Sequence, residues 1–557
     1  MSHITHEVTN QSRPLQGVNL FLANQPLRDG LAVHAPALDT TRLHALGAEA
    51  GSAELQTHAR LANAHAPVLH THDRVGRRVD EVEFHPSYHA LMARALHYGL
   101  HGTPWSQGPL SHVHRAAAFM LFNEVEPSVL CPVSMSYAVT PALRANAALQ
   151  AACGPGLAAT VYDPRFVPMA EKTALTMGMG MTEKQGGSDV RSNTTRAERD
   201  GADAWGERFR VTGHKWFLSA PMCDAFLVLA QTANGLSCFF LPRWLPAVGS
   251  AGATLNAIHI QRLKHKLGNQ ANASSEVEFD GASAWLVGSE GRGVPQILAM
   301  GALTRLDCAL GTAGLMRQAL SLALHHTAQR VTFGKRLIEQ PLMKNVLADL
   351  ALESEAATAL ALRVAVAVDR TEHGSADPHE VVMRRLLTPV AKFWICKRGA
   401  GFGQEAMECL GGNGYVEADG EGVMARIYRE MPVNSIWEGA GNIMALDLLR
   451  ALRGADVAQA LERELAPSRG AHAALDRAAA AVLQQVDHGE VAEPQARRLA
   501  RDVALVLQAA LLQRQAPAAV FAAFCDRRLA SASDVFGLLG AGHDLDALIH
   551  RAMPWEA

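Results

Sequence analysis

Hydrophobic and polar positions change their spacing more than once along this chain. Between residues 40 and 175 apolar side chains recur at the helical period, as in residues 42–63, 88–99, 114–123 and 141–151. From residue 176 to 288 the pattern turns to short alternating runs, such as Phe209-Arg210-Val211 and residues 225–231, 237–241 and 275–279, which predict antiparallel strands. Beyond Gly293 long amphipathic helices are predicted over residues 296–330, 341–370, 378–409 and 443–452, as in a bundle. The last stretch is rich in Ala and Leu, is broken near Pro467 and Pro494, and reads as further helices. The expected organisation is therefore α+β: an N-terminal helical domain (1–175), a central antiparallel β domain (176–288), a helical bundle (289–452) and an extra C-terminal helical domain (453–557). No internal repeat or low-complexity linker interrupts this order.

At 557 residues and 48% hydrophobic content the chain can bury several layers of core. Its net charge of −3 gives no chain-wide attraction to nucleic acid, so any basic surface has to be local. Arg363 interrupts the longest apolar run, residues 357–368, and no membrane-spanning segment is expected. Residues 1–16 mix His, Glu, Asn and Arg without an apolar stretch, which does not fit a secretory signal. Eight scattered cysteines include no C-x-x-C pair and read as reduced, mostly buried thiols, so a cytoplasmic location is expected.

Candidate chemistry gathers in three places. In Met179-Gly180-Met181-Thr182-Glu183-Lys184-Gln185-Gly186-Gly187-Ser188-Asp189, small and hydroxyl residues follow an apolar entry, so the backbone can press against a flat polar ligand while Thr182 and Ser188 hydrogen-bond to it. His214-Lys215-Trp216-Phe217-Leu218-Ser219 is a strand whose indole can either wall off a planar cofactor or fill the core. In Asn434-Ser435-Ile436-Trp437-Glu438-Gly439-Ala440-Gly441-Asn442 a single acid stands among apolar and small neighbours, and partial desolvation there would raise its pKa. Two other patterns lead nowhere. Gly154-Pro155-Gly156-Leu157-Ala158-Ala159 matches the dinucleotide glycine fingerprint but follows helix-like residues 146–152 instead of a strand. His85, His89, His97 and His101 pair at spacings of four, yet no cysteine or carboxylate pattern completes a metal site, and no metal is expected.

Together the three segments resemble the acyl-CoA dehydrogenase family of flavoproteins, with further matches at Arg330-Val331-Thr332-Phe333-Gly334 and Leu410-Gly411-Gly412-Asn413-Gly414-Tyr415. The strings Met181-Thr182-Glu183-Lys184-Gln185-Gly186-Gly187-Ser188-Asp189-Val190 and residues 429–439, with the added helical tail, are similar to the AidB branch, the alkylation-response flavoproteins. The resemblance implies an acyl-CoA dehydrogenase-like fold and FAD as cofactor. It assigns the flavin to Met179, Gly180, Met181, Thr182, Glu183, Gly187 and Ser188, to Trp216, Phe217 and Leu218, and to Ile436, Trp437, Gly439, Gly441 and Asn442. Arg330 matches a residue that reaches the cofactor pyrophosphate, across a subunit boundary in a homotetramer.

The implied chemistry is oxidation of an acyl thioester, with Glu438 as the base that removes the α-proton. A carboxylate suits that role when burial lifts its pKa from about 4.3 toward neutrality. Where the family usually has an acid three residues before Arg305, this chain has Ala302, so one expected CoA contact is missing. The branch also implies weak acyl-CoA dehydrogenation together with double-stranded DNA binding and protection of DNA against alkylation, with the contacts in the C-terminal helices. Residues 447–557 hold 12 arginines, no lysine and 14 acidic residues, so the candidates are local clusters: Arg450 and Arg453, Arg497, Arg498 and Arg501, and Arg527 and Arg528. The alternatives are a plain dehydrogenase for a branched or bulky acyl-CoA, and a DNA-coating scaffold in which FAD is structural.

Overall fold

The computed structural model describes residues 5–246, 252–373, 377–417, 422–454, 456–487, 491–531 and 533–555. They form two compact units, one of residues 57–111 and 126–307, the other of residues 1–56, 112–125 and 308–557. These units cut across the four segments expected from the sequence pattern.

The first unit is built on a seven-stranded sheet. Ahead of it lies a hairpin of β1 (Val68–His72) and β2 (Arg78–Glu83), inside the stretch expected to be wholly helical. Its residues alternate only between exposed and half-buried on β1, so too few apolar side chains mark it as strand. The sheet strands are β3 (Met177–Gly180), β4 (Arg196–Asp203), β5 (Gly206–Ser219), β6 (Ala225–Thr232) and β7 (Gly235–Pro242), followed by the two-residue pair β8 (Trp244–Leu245) and β9 (Thr254–Leu255), then β10 (Ile258–Leu263) and β11 (Ser274–Leu286). Their order is β10-β11-β5-β4-β6-β3, and β7 pairs with both β6 and β11, closing the strands on themselves. The antiparallel expectation holds except where β6 runs parallel to β3 and, through a single pairing, to β4. β6 reads AFLVLAQT with its first six residues buried, as expected for a strand covered on both faces. A hydrogen bond from the Met177 amide to Ser136 Oγ (2.9 Å) ties β3 to the helix Leu130–Leu143. Gly154, Pro155 and Gly156 lie inside the helix Ala147–Ala158, with no strand before them.

The second unit is helical. The helix expected over residues 42–63 is two, Thr41–Ala50 and Ala53–Ala64, parted at Gly51, where a side chain would collide with the Val18 carbonyl. The helix Pro341–His373 is buried on every side from Leu347 to Asp369, so it is a central helix and not an amphipathic one. Pro378–Glu408, Ala496–Gln515 and Leu545–Ala552 pack against it. Residues beyond 453 therefore complete the same bundle. Ion pairs across this core hold them there: Arg363 with Glu464 (2.9 Å) and Arg551 with Glu355 (2.8 Å), while Arg363 also pairs with Glu380 and Glu464 with Arg514 (both 2.9 Å). A buried carboxylate without such a partner would be strongly destabilising, which explains how charged positions occur along an all-round buried helix.

Candidate active site

In the β unit, the chain leaves β3 and winds around one carboxylate. Glu183 is fully buried, and its oxygens accept hydrogen bonds from the Thr194 amide (2.7 Å), the Thr195 amide (3.3 Å), the Gln185 side chain (2.9 Å) and Lys215 Nζ (2.7 Å). Lys215 is equally buried and donates also to the Leu229 carbonyl (2.8 Å). Burial alone would push the Glu183 carboxyl up, but the Lys215 ammonium and the surrounding donors outweigh it and hold the group down at about 2. The loop is closed further by the Trp216 amide donating to the Thr182 carbonyl (2.8 Å) and the Asn193 side chain donating to the Met181 carbonyl (2.9 Å). A Cβ on Gly180 would sit 2.7 Å from Leu218 and 3.2 Å from the Lys215 stem, so this glycine makes room for the ion pair. Of the loop and strand residues expected at the cofactor, Met179, Gly180, Glu183 and Leu218 are buried structural positions, Met181, Thr182 and Trp216 are half-buried, and Gly187, Ser188 and Phe217 face outward. Lys264 Nζ lies over both rings, 3.6 Å from the centre of Trp216 and 4.4 Å from that of Phe217, and Phe217 keeps 47% of its surface open. Phe217 is the more exposed of the two aromatics. The sequence reading passes over Lys215, although its alternation with the buried Phe209 and Val211 places it on the inward side of β5.

In the helical unit, the segment around Glu438 is a turn between the 3-10 segment Val433–Ser435 and the helix Gly441–Ala451. The Trp437 indole donates to Asn434 Oδ1 (3.0 Å), and the Asn434 amide donates to Thr312 Oγ1 (3.1 Å) on the helix Gly293–Gln329. Glu438 is half-buried and takes a left-handed φ of 59°, followed by Gly439 at 99°. Such a conformation costs a non-glycine residue about 1–2 kcal/mol and persists only where the surroundings impose it. Lys392, on the helix Pro378–Glu408, is 1% exposed and donates to the carbonyls of Trp437 (2.8 Å) and Gly439. The sequence reading passes over this lysine as well; its only signal is a charge within the buried run from Leu386 to Phe393. Ile436 is exposed, Gly441 buried and Asn442 exposed. The helix that begins at Gly441 has no side-chain cap, and Arg497 reaches its first turn, 3.4 Å from Asn442 Oδ1.

The sequence matches the AidB N-terminal domain over residues 10–164, the acyl-CoA dehydrogenase middle domain over 178–282 and the acyl-CoA dehydrogenase C-terminal domain over 291–453. It is 48% identical to the putative acyl-CoA dehydrogenase AidB of Escherichia coli (strain K12) over 86% of this chain and 87% of that protein. The chain belongs to the AidB-like branch of the acyl-CoA dehydrogenase family. Among solved structures it is similar to Caenorhabditis elegans ACDH-11 in complex with C11-CoA (TM-score 0.80, 26% identity, 99% of this chain and 93% of that one). It is also similar to Bd2924 in its apo form (TM-score 0.81, 29% identity, 91% and 99%).

Family membership makes this chain an FAD-dependent oxidoreductase of the acyl-CoA dehydrogenase type. Within the β unit, an outward aromatic at Phe217 and outward small residues at Gly187 and Ser188 suit a flavin ring; within the helical unit, the uncapped helix start at Gly441 with a guanidinium beside it suits an anionic group. The family segment after Arg330 forms a hairpin of β12 (Val331–Thr332) and β13 (Lys335–Arg336), with Phe333 fully exposed at its tip. Arg330 itself is half-buried and donates to the Asn10 carbonyl. Among the C-terminal arginines, Arg450, Arg453, Arg497, Arg498 and Arg501 are exposed. Arg527 and Arg528 are not surface residues: Arg527 pairs with Asp349 (3.0 Å), and Arg528 pairs with Asp349 (2.6 Å) and Glu353 (2.9 Å). Removing them from the candidate basic stripe corrects the sequence reading, which could not tell an arginine spent on a core carboxylate from a free one. Among the described residues no helix is long and apolar enough to cross a membrane.

Proposed function

We propose that the chain oxidises an acyl-CoA thioester, with the Glu438 carboxylate taking the proton from the carbon beside the thioester carbonyl. Bound FAD supplies the acceptor for the hydride that leaves the neighbouring carbon. The observation that carries this reading is the Glu438 turn: a half-buried acid on a left-handed residue, with a buried ammonium on the flanking carbonyls and an indole locked beside it. A base held in one orientation is what proton abstraction requires. Phe217 supplies an apolar face for the flavin ring, while Thr182, Gly187 and Ser188 offer polar contacts to its edge. Within the helical unit, Arg330 and the start of the helix Gly441–Ala451 are the candidates for a phosphate. The C11-CoA bound in the ACDH-11 structure supports an acyl-CoA as the substrate class. The test is anaerobic mixing of the yellow protein with a panel of acyl-CoAs, comparing the native chain with Glu438→Gln. Bleaching that persists unchanged in the variant removes Glu438 as the base.

A second role, protection of DNA against alkylation, is favoured by the five exposed arginines, which occupy two helices that pack together, Gly441–Ala451 with its C-terminal extension and Ala496–Gln515. Arg498 and Arg501 share a single carboxylate, Asp502 (3.8 and 2.7 Å), which leaves a local excess of positive charge. Absence of duplex binding at low salt would exclude this role. We further propose a homotetramer, because Phe333 at its hairpin tip, Leu342 and Tyr415 each present a large apolar surface to solvent in the isolated chain; sedimentation of the purified protein decides it.

A further inference from the structure

The helix Pro378–Glu408 carries a cation whose two hydrogen bonds both go to the main chain of the catalytic turn. Burying an ammonium is costly, and carbonyl oxygens compensate for it only when they converge on it in a fixed arrangement. Here the two acceptors are the carbonyls of Trp437 and Gly439, the residues immediately before and after Glu438. A carbonyl belongs to the same peptide plane as the next residue's amide, so the Trp437 carbonyl fixes the plane entering Glu438 and the Gly439 carbonyl fixes the plane leaving the residue after it. Together they restrain the backbone through the acid, whose φ of 59° is a conformation the isolated residue disfavours. The indole of Trp437 is anchored separately, through Asn434 to Thr312, so the lysine acts on the backbone and not on the indole.

We infer that Lys392 is a positioning residue for Glu438: its ammonium grips the carbonyls on both sides of the acid and so holds the left-handed turn that aims the carboxylate. This rests on the reading of Glu438 as the base. Lys392 touches neither the proton nor the substrate; it removes the other orientations of the carboxylate. An apolar residue of similar length leaves the turn free to relax to a right-handed φ. A displacement on the order of 1 Å in a reacting group costs about 100-fold in rate.

The experiment compares Lys392→Met, Lys392→Arg, Glu438→Gln and the double variant Lys392→Met/Glu438→Gln, each reconstituted with FAD. Single-turnover flavin bleaching by an acyl-CoA that reduces the native protein is followed across pH, together with hydrogen exchange of the amides in residues 434–443. The expected result for Lys392→Met is a bleaching rate constant about 100-fold lower, with half-saturating acyl-CoA and FAD content unchanged and faster amide exchange confined to the turn. Lys392→Arg restores part of the rate. In the double variant Lys392→Met adds nothing to the loss already caused by Glu438→Gln. Native bleaching in Lys392→Met, or a loss that multiplies with that of Glu438→Gln, overturns the inference while leaving the base assignment standing. Native bleaching in Glu438→Gln overturns the base assignment itself. Should Lys392→Met fail to fold, Lys392→Leu, which likewise removes every donor to the two carbonyls, carries the same comparison with the same deciding outcomes.

Discussion

The loop after β3 and the turn around Glu438 solve one problem with opposite charges. In the loop a buried carboxylate, Glu183, gathers main-chain N–H groups, and an ammonium neutralises it. At the turn a buried ammonium, Lys392, gathers main-chain carbonyls and leaves the acid beside it undiverted by that lysine's hydrogen bonds. The difference follows from the task. A segment that presents backbone and small residues to a cofactor can spend its own glutamate on internal order. A segment whose glutamate has to react needs its order imposed from another helix. On the proposed reading, two acids in matching family motifs thus have unlike roles: Glu183 is structure, and Glu438 is chemistry.

Five substitutions or conditions break or sharpen this division between structural and reactive charge. Glu438→Gln should show the largest effect, a drop in acyl-CoA-driven flavin bleaching of about 10²–10⁴-fold, while the flavin stays bound because the loop is untouched. Lys215→Met leaves Glu183 as an uncompensated buried charge and should cost about 3–5 kcal/mol; thermal unfolding monitored with flavin release reads this directly, and equal stability would show that the pair does not order the loop. Acid probes the same ion pair. The Glu183 carboxyl lies at about 2 in the fold against an ordinary value of 4.5, so its stabilisation is complete above pH 4.5 and is lost as pH falls toward 2. The stability advantage of the native protein over Glu183→Gln should therefore shrink across that window, and an advantage that stays constant or grows on acidification would contradict the sign. The smallest effect belongs to the surface arginines: replacing Arg497, Arg498 and Arg501 by Ala should flatten the salt dependence of duplex binding by about one unit of slope for each phosphate no longer neutralised. Arg527→Ala should leave that slope alone and lower the melting temperature, since its charge is spent on Asp349.

The alternating runs of residues 176–288 and the helical periods beyond Gly293 are legible in the sequence because each is long enough to repeat its own spacing, and the motif strings locate both candidate regions. What sequence does not supply is the direction each side chain faces. Glu183 sits in the middle of a ligand-like string and points into the core. Trp216 reads as the cofactor's wall, and Lys264 lies over its ring as it does over that of the more exposed Phe217. Lys392 precedes its acceptors by more than forty positions, a pairing that no local period encodes. The hairpin of β1 and β2 escapes because its side chains are mostly polar or half-exposed. The charge count of the C-terminal region likewise hides a division of labour, since Glu464, Arg514, Arg527 and Arg528 are consumed in the bundle core while Arg497, Arg498 and Arg501 remain outside.

The central claim, that this chain moves a proton to Glu438 as FAD is reduced by an acyl-CoA, is tested most directly by anaerobic titration of the purified flavoprotein with acyl-CoAs of graded length and branching. The account predicts a yellow protein whose visible flavin band is bleached by at least one member of the panel and is left intact by every member in Glu438→Gln. A colourless protein that refuses reconstitution, or a flavin that bleaches equally in both proteins, contradicts it.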